Sequence, residues 1–417
     1  MTHVVVVGGG PAGLMAADVI SSAGVGVTLY DAMPSVGRKL LMAGRGGLNL
    51  THSEPLEAFL ARYGAAREFL AHPVMAFSPA ALRQMADDLG QETFVGSSGR
   101  VFPRAMKASP LLRAWLARLA RQGVAIRSRH RLVGLDPCGR ALVAANGGMA
   151  QPVTADAIVL ALGGASWPRL GSDGAWIPWL SALGLRISPL VAANAGVSIA
   201  WSEHFAQRFA GAPLKRIAIT IDGHRSRGEA VVTRSGLEGG AIYALTPAVR
   251  TAIDRSVPVT LSVDLRPDLA LPDLAARLSR PRGKRSVSEW LRKTVRLPPV
   301  GIGLLREAAG MTLPDDPAIL GSLIKAVPLP VTGIGSLAHA ISSAGGVALD
   351  GIDADMMIKA RPGIFVAGEM LDWEAPTGGY LLQACFATGH AAGRGVLRYL
   401  GRDLPIPAGP GSSENRS

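Results

Sequence analysis

Strand and helix patterns alternate at both ends of the chain. Four successive valines at 4–7 predict a buried parallel strand, followed by an Ala/Leu/Met-rich helix over about 12–22 and a second strand over 25–30. A short apolar run at 363–367 again precedes a helix, which begins near residue 381. Such alternation is typical of a doubly wound α/β sheet, here assembled from both ends of the chain.

The pattern changes between about 190 and 328. Alternating apolar residues lead into Asp222-Gly223, a dipeptide typical of a hairpin turn, and strict alternation follows at 257–265. After Pro267 the apolar residues repeat with helical spacing. We therefore predict a discontinuous α/β domain, two inserts and a tail: 1–190 with 329–404, a β-rich insert at 191–265, a helical insert at 266–328, and a disordered tail at 405–417.

Three polar residues mark predicted helix starts. Ser109 is predicted to cap a helix whose first residue is Pro110. Ser286 and Glu289 form a capping box, and Asp316 precedes a further helix. These signals predict one helix in the α/β domain and two in the helical insert.

A glycine-rich turn follows the first strand directly. Gly8, Gly10 and Gly13 have the G-x-G-x-x-G spacing, which brings a pyrophosphate against bare backbone and the amides of a helix N-terminus. Asp31 follows the second strand, eighteen residues after Gly13, where an acid binds a ribose hydroxyl. The sequence thus predicts a dinucleotide site at Gly8, Gly10, Pro11, Ala12, Gly13 and Asp31, and this fingerprint leaves NAD and FAD open.

A second strand–glycine–helix unit near the C-terminus favours FAD. Gly368 and Glu369 end a strand, so the carboxylate can bind the ribityl chain of a long cofactor. The helix that follows can direct its positive end toward the flavin pyrimidine edge, which stabilises reduced flavin. FAD is therefore the predicted cofactor, with further contacts at Gly163, Gly164, Gly378, Gly379 and Tyr380.

The segment 37–51 combines several glycines with three cations. It follows the second predicted strand and can run along the cofactor from the adenosine end. Arg38 and Lys39 are predicted to neutralise phosphates, whereas Gly46 and Asn49 are placed beside the cofactor.

The catalytic candidates lie in the same segment. Arg45 is predicted to orient a substrate carboxylate or carbonyl group, Asn49 to hydrogen-bond the flavin, and Thr51 to lie on the substrate side. No His/Asp or Cys/His pair stands out among the eight scattered histidines. The sequence therefore points to redox chemistry carried by a cofactor.

The composition of the chain bears on the location and the net charge of the protein. The chain contains no apolar stretch long enough to cross a membrane and no signal peptide before the first strand, which predicts a cytoplasmic protein. Cys138 and Cys385 form no C-x-x-C motif, which argues against a thiol–disulfide flavoenzyme. The net charge is +12, and arginine with alanine and glycine is abundant, as in proteins of GC-rich genomes.

The chain resembles the bacterial flavoproteins of the BaiN/YhiN type, also described as aminoacetone-oxidase-like. Stretches that carry the resemblance run in order along almost the whole chain: GGGPAG at 8–13, GRKLLMAGRGGLNLTH at 37–52, GRVFPRAMKAS at 99–109, LALGGASWPRLGSDG at 160–174, GEAVVTRSGLEGGAI at 228–242, AGGV at 344–347 and GIFVAGEMLDWEAPTGGYLLQACFATG at 363–389. The resemblance implies an FAD domain interrupted by a β-barrel and a helical domain.

Three departures place the chain on a side branch of that family. Asp31 stands where the family usually has Glu. Leu48 replaces the cysteine of a Gly-Arg-Cys-Asn sequence, and Gly240 replaces a proline. The activities of relatives are therefore not carried over directly.

The favoured function is an FAD-dependent oxidoreductase that transfers a hydride between flavin N5 and a small organic substrate. The expected reaction site is the cleft between the nucleotide domain and the insert. No second complete nucleotide motif is present, so NAD(P)H is considered only as a transient donor, and oxidase and reductase stay open. The oligomeric state is not specified by the sequence.

Two alternatives belong to other classes. The segment 277–296 contains eight basic residues around Trp290, which would suit a flavin-bearing protein that binds or modifies RNA. A solvated helical face explains the same residues, so nucleic acid is the weaker hypothesis. The third hypothesis is a flavin redox sensor without turnover.

Overall fold

The computed structural model describes residues 2–136, 138–255, 258–310 and 312–402, without the side chain of Arg45. The predicted tail at 405–417 and Val257 of the alternating strand lie outside the described residues. Two compact units divide the chain. Unit 1 contains residues up to 164, 168–190 and those from 345 onward, whereas unit 2 contains 165–167 and 191–344.

The strands are β1 (His3–Val7), β2 (Gly26–Asp31), β3 (Thr51–His52), β4 (Thr93–Val95), β5 (Arg100–Pro103), β6 (Ala125–Ser128), β7 (His130–Leu135), β8 (Ala141–Ala145), β9 (Ala150–Val153), β10 (Ala157–Leu160), β11 (Ile187–Ala193), β12 (Val197–Ser198), β13 (Pro213–Ile221), β14 (His224–Thr233), β15 (Gly236–Glu238), β16 (Val259–Asp264), β17 (Val327–Val331), β18 (Gly333–Ile334), β19 (Ser342–Val347) and β20 (Ile364–Val366).

The helices are α1 (Pro11–Ser22), α2 (Arg38–Ala43), α3 (Leu56–Ala61), α4 (Arg67–Ala76), α5 (Pro79–Asp88), α6 (Ala108–Arg121), α7 (Ile177–Ala182), α8 (Glu203–Phe209), α9 (Gly240–Tyr243), α10 (Thr246–Asp254), α11 (Leu271–Leu278), α12 (Val287–Thr294), α13 (Pro299–Ala309), α14 (Pro317–Lys325) and α15 (Tyr380–Tyr399).

A parallel five-stranded sheet forms the centre of unit 1, with the order β20-β10-β1-β2-β6. Its register aligns Val7 at the end of β1 with Tyr30 of β2 and Leu160 of β10, and Leu160 with Val366 of β20. The carboxyl ends of four strands from distant parts of the sequence therefore lie at one edge. The parallel sheet confirms the predicted α/β class.

Small residues allow α1 and α15 to pack closely in unit 1. A Cβ on Gly389 of α15 would lie 2.3 Å from the carbonyl oxygen of Ala12, and one on Gly393 would lie 2.8 Å from Cβ of Val19. Ten of the twelve residues of α1 are buried. The N-terminus of α1 is thereby fixed beside the sheet edge, with Gly10 as its N-cap.

Unit 2 contains an antiparallel barrel. Its strand order is β17-β16-β13-β14-β15-β12-β18, and every pairing is antiparallel. The first and last strands of this order, β17 and β18, are parts of one segment at 327–334. Because that segment pairs with β16 on one side and β12 on the other, the sheet closes on itself, as expected of a β-barrel-like insert.

The two predicted inserts form one unit. Strand β17 pairs with β16 along Val259–Val263 and Val327–Val331, and residues from 197 to 329 share one buried core. The compact unit therefore has no boundary at 265/266, and it ends at 344 instead of 328. The sequence did not show this because barrel closure depends on pairing between residues about seventy positions apart.

The predicted cap at Ser109 is wrong. Helix α6 begins at Ala108, with Lys107 at the N-cap position and no side-chain cap. Ala108 is buried, and its Cβ would lie 2.7 Å from a Cβ added to Gly44. Packing against Gly44 thus places the helix start before the local capping signal.

No helix among the described residues is long and apolar enough to span a bilayer.

Candidate functional site

The main cleft of unit 1 lies where the parallel strands end. Residues after β1, β2, β10 and β20 line it, together with residues of α2 and the 170–179 segment. An open edge of this kind, at the carboxyl ends of parallel strands, is the usual position of a ligand in doubly wound folds. The site residues are therefore brought together by the sheet order rather than by proximity in sequence.

The three glycines of the fingerprint have different surroundings. A Cβ on Gly8 would lie 2.1 Å from the carbonyl oxygen of Ala161, and one on Gly13 would lie 1.9 Å from that of Gly8. Gly10 lines the cleft and has no protein atom within 4 Å of its Cβ position. Gly8 and Gly13 thus permit backbone packing, whereas Gly10 leaves open space above the start of α1. Gly13 itself does not line the cleft.

Asp31 lies at the cleft with both carboxylate oxygens engaged. Oδ2 accepts a hydrogen bond from the amide of Gly9 at 2.8 Å, and Oδ1 accepts one from Met33 at 2.7 Å. Burial raises the pKa of Asp31 and outweighs the opposing effect of these amides. Each oxygen keeps a second lone pair, so the carboxylate can still accept a ligand hydroxyl.

Lys39 and Glu369 form an ion pair within the cleft. Their Nζ and Oε2 atoms are 2.5 Å apart, and the Glu369 side chain is 7% exposed. The residues are 330 positions apart in sequence and were assigned separate roles there. The structure joins them, so Lys39 neutralises an almost buried carboxylate.

The segment before and within β3 meets the N-terminus of α15. A Cβ on Gly379, the N-cap of α15, would lie 2.6 Å from Cα of Thr51. Thr51 is fully buried, and its Oγ1 has no hydrogen-bond partner among the described residues. The Oδ1 atom of Asn49 is likewise buried without a partner there. Thr51 thus presents an unpaired oxygen near a helix N-terminus, and Asn49 presents another two positions earlier in the chain.

Tyr380 does not line the cleft, and its side chain contacts Glu54 and His52 instead. Its hydroxyl donates to Oε1 of Glu54 at 2.6 Å, and its ring lies 5.5 Å from that of His52. Glu54 also accepts hydrogen bonds from Arg62 at 2.7 and 3.1 Å. Burial of the phenol and then the Glu54 carboxylate raise the pKa of Tyr380, whereas Arg62 acts in the opposite direction. Tyr380 therefore anchors the first turn of α15.

The predicted cofactor residues divide into two groups. Those that line the cleft are Gly8, Gly10, Pro11, Ala12, Asp31, Arg38, Lys39, Gly163, Gly368 and Glu369. Those that do not line it are Gly13, Gly46, Asn49, Gly164, Gly378, Gly379 and Tyr380. Arg45 belongs to a single turn at Gly44–Gly46, and its side chain lies outside the described part of the protein.

One side of the cleft consists of residues that the sequence did not predict. Ser172 lines it, is 6% exposed, and has an Oγ atom without a partner among the described residues. Trp176 also lines it and donates its Nε1 hydrogen to the carbonyl of Gly163 at 2.9 Å. Arg131 joins them through an ion pair with Asp173 at 2.8 Å. The only available signal was the resembling stretch at 160–174, which includes Ser172 and Asp173.

One feature of the basic segment 277–296 does not fit the nucleic-acid hypothesis. Trp290 is 8% exposed and belongs to the core of unit 2, packed with residues such as Leu291. Trp290 is the segment's only aromatic residue, so no ring there is available to stack on a base. The charges lie on the surface of short helices and turns.

The cleft fits the FAD that the sequence predicts. The open space above Gly10 at the start of α1 suits a pyrophosphate, and Ser172 offers a free hydroxyl. The Nε atom of Arg38 is also buried without a partner among the described residues. Unpaired buried polar groups are costly in folded proteins, and a polar ligand removes that cost.

Known proteins resemble the chain over most of its length. The 3-dehydro-bile acid delta(4,6)-reductase of Clostridium scindens is 26% identical over 412 residues, which cover 94% of this chain and 98% of the relative. The 3-ketosteroid delta1-dehydrogenase of Sterolibacterium denitrificans has a TM-score of 0.55 at 14% identity, covering 95% of this chain and 100% of that one. A flavocytochrome c3 fumarate reductase has a TM-score of 0.52 at 16% identity, covering 95% and 78%.

The two solved structures show a shared fold. The family described as HI0933-like protein Rossmann domain matches residues 2–395 of this chain. The resemblance drawn from the sequence motifs is thereby confirmed. The chain belongs to the HI0933-like family, a Rossmann-type family of FAD-dependent oxidoreductases.

Proposed function

We propose that this protein binds FAD in the cleft of unit 1 and transfers a hydride between flavin N5 and a small organic substrate. The observation that carries the proposal is the cleft itself: four parallel strands end around the open space at Gly10, next to buried polar groups without partners. Bound FAD supplies a two-electron hydride donor and acceptor that protein side chains lack.

Different residues of the cleft would bind different parts of the cofactor. The amide of Ala12 at the start of α1 suits the pyrophosphate, because helix N-termini attract anions. Asp31 would accept a hydrogen bond from a ribose hydroxyl, and Glu369 from the ribityl chain. Lys39, paired with Glu369, would add positive charge near the phosphates.

Three residues are proposed for the reacting end. Asn49 and Thr51 each have a buried oxygen without a partner among the described residues, and Thr51 lies against the N-terminus of α15. We propose that Asn49 bonds the flavin, that Thr51 lies on the substrate side, and that Arg45 orients a substrate carbonyl. The positive end of α15 would stabilise negative charge that develops on the ring.

The proposed substrate class is a ketone conjugated to a carbon–carbon double bond. The support is the bile acid reductase, which matches 98% of its own length. The name of that relative describes the delta(4,6)-reduction of a 3-dehydro-bile acid. Reduction of a conjugated enone adds a hydride to the β-carbon and a proton to the α-carbon, so the carbonyl must be held and polarised.

The test is an anaerobic half-reaction experiment on the purified full-length protein. We expect a yellow protein whose flavin is bleached by NADH or NADPH, with dithionite as the reference reductant. We then expect a 3-keto-Δ4 steroid to reoxidise the flavin faster than air does. Faster reoxidation by air than by the steroid would indicate an oxidase instead of a reductase. Absence of bound flavin after reconstitution with FAD would overturn the proposal.

A pair of variants tests the reacting end. Thr51→Val removes the unpaired hydroxyl at constant shape, so we expect enone reduction to slow about tenfold or more with little loss of stability. Thr260→Val, at an exposed position of β16, is the matched control and should react like the native protein. Equal rates for both variants would remove Thr51 from the reacting end.

A further inference from the structure

The segment 168–176, which we call the strap, crosses the end of β1 in unit 1. Nε1 of Trp176 donates a hydrogen bond at 2.9 Å to the carbonyl oxygen of Gly163, just after β10. On the other side, a Cβ on Gly171 would lie 2.9 Å from Cγ of Met33, just after β2. Strands β10 and β2 are the two neighbours of β1 in the sheet. Because the strap contacts residues that follow both neighbours, it lies across the end of β1 and its glycine turn.

An ion pair fixes the middle of the strap. Nη1 of Arg131, in β7, donates to Oδ2 of Asp173 at 2.8 Å, and Oδ1 of Asp173 accepts a hydrogen bond from the amide of Ala175 at 3.1 Å. The side chains of Arg131 and Asp173 are 47% and 30% exposed, so solvent screens their attraction and the pair contributes little free energy. The ion pair can therefore hold the strap and still break when a ligand enters or leaves.

Ser172 lies between these contacts and lines the cleft. It is 6% exposed, and its Oγ atom has no hydrogen-bond partner among the described residues. Oγ lies 3.1 Å from the Cβ position of Gly163, which places the hydroxyl beside the end of β10. A buried hydroxyl without a partner lowers stability, so its presence at the cleft indicates a ligand group at this point.

We propose that the strap covers the FAD of the cleft and that Ser172 donates a hydrogen bond to it beside the pyrophosphate. This inference rests on the proposed function, because it needs the cofactor in the cleft. The glycine turn that the strap crosses is the proposed pyrophosphate position, and ionised phosphate oxygens accept strong hydrogen bonds from hydroxyl groups. The hydroxyl of Ser172 would increase the affinity for FAD, whereas the ion pair of Arg131 with Asp173 would set the rate of its exchange.

The first test compares FAD binding by the full-length native protein and by Ser172→Ala. The flavin is removed, its rebinding is measured by isothermal titration calorimetry, and the Tm of each flavin-free protein is recorded. We expect Ser172→Ala to bind FAD about tenfold more weakly. Its flavin-free Tm should equal or exceed the native value, because the lost hydroxyl has no partner in the protein. Ser181→Ala, at an exposed position of α7, is the matched control and should be native in both measurements.

The second test measures FAD exchange by stopped-flow fluorescence. Asp173→Asn keeps the shape of the side chain and removes its charge, so the strap should open more often. We expect the association and dissociation rate constants both to rise about twofold to fivefold, with a nearly unchanged Kd. Asp350→Asn removes the charge from an exposed pair with Arg186 in the same unit, and this control should exchange FAD at native rates.

Each outcome supports or overturns the inference. Weaker FAD binding in Ser172→Ala at an undiminished flavin-free Tm supports the hydrogen bond, and faster exchange in both directions in Asp173→Asn supports the strap. Native affinity in Ser172→Ala, or a loss of affinity that accompanies a lower flavin-free Tm, would overturn the hydrogen bond. Native exchange rates in Asp173→Asn, or faster dissociation alone, would overturn the role of the strap. A native protein that binds no FAD would instead overturn the proposed function itself, so the two failures are distinguishable.

Discussion

The two units differ in how they satisfy their buried polar groups. Among the described residues, eight buried side-chain atoms have no hydrogen-bond partner, and seven of them lie in unit 1. The eighth is Nε1 of Trp290 in unit 2. Several of the seven line the cleft or adjoin α15, which indicates that unit 1 is shaped for a polar ligand.

The barrel of unit 2 shows the opposite arrangement. Its strands pair with antiparallel neighbours around the whole barrel, and its excess charge lies on the surface instead of the interior. A closed barrel satisfies its own backbone and needs no ligand for that purpose. The comparison suggests that buried unpaired groups mark the proposed cofactor site of unit 1.

The largest effects are expected from glycines of unit 1. Gly13→Ala would drive Cβ into the carbonyl of Gly8, so we expect a loss of more than about 3 kcal/mol and a protein without flavin. Gly10→Ala should fold with a native Tm but lose flavin, since its Cβ meets only the open cleft. Absorbance near the flavin bands and thermal denaturation measure the two effects.

The control for these glycines lies in the other unit. Gly240 also has no atom within 4 Å of its Cβ position, so Gly240→Ala should retain both flavin and stability. A Gly10→Ala variant that binds FAD with native affinity would contradict the cofactor position and with it the contrast between the units.

The ion pair of the cleft should give the next largest effect. Lys39→Met removes the cation that pairs with the almost buried Glu369 carboxylate, which we expect to cost about 2–3 kcal/mol in unfolding free energy. The double variant Lys39→Met/Glu369→Gln should recover part of that loss, because no buried charge remains. Chemical denaturation of the flavin-free proteins measures both values.

An exposed pair in the same unit provides the comparison. Arg104 and Glu92 are 70% and 75% exposed, so Arg104→Met should cost ~0.5 kcal/mol or less. Equal losses for the two substitutions would show that burial of Glu369 contributes nothing.

Two buried tryptophans test hydrogen-bond satisfaction in the two units. Nε1 of Trp115 in unit 1 donates to Oδ2 of Asp18 at 2.8 Å, whereas Nε1 of Trp290 has no partner among the described residues. We expect Trp115→Phe to cost about 2–3 kcal/mol and Trp290→Phe about 1 kcal/mol or less, because the latter removes an unpaired donor. Chemical denaturation measures both losses. A larger loss of stability for Trp290→Phe than for Trp115→Phe would contradict this expectation.

An effect that develops only at acid pH is expected from His390. Burial lowers the pKa of His390 to about 4, and the nearby charge of Arg394 acts in the same direction. Because the unfolded chain takes up the proton below about pH 6.5, stability present at neutral pH is lost as the pH falls from about 6.5 to about 4. We expect that loss to approach about 3 kcal/mol at pH 4, since the pKa in the folded protein lies roughly 2.5 pH units below its ordinary value.

His390→Gln should make the decrease of Tm between pH 7 and 4 less steep. His224→Gln, at an exposed position at the start of β14, is the matched control. If His390→Gln leaves the slope of the native protein unchanged, the buried imidazole is not its cause.

Local chemistry in the sequence determined the elements that depend on short-range contacts. The run of valines and the glycine turn predicted β1 and the start of α1, and Asp222-Gly223 lies at the β13–β14 hairpin. Ser286 caps α12 through the amide of Glu289, and Asp316 caps α14. Each of these depends on residues a few positions apart, where spacing alone specifies the hydrogen bonds.

Tertiary structure alone decided the features that join distant segments. The pairing of Lys39 with Glu369, the orientation of Tyr380 toward Glu54, and the presence of Ser172 in the cleft have no local signal in the sequence. The same is true of barrel closure by 327–334. The physical reason is that sheet order and strand register determine which distant residues meet, and periodicity along the chain specifies an element's type and buried face but not its neighbours.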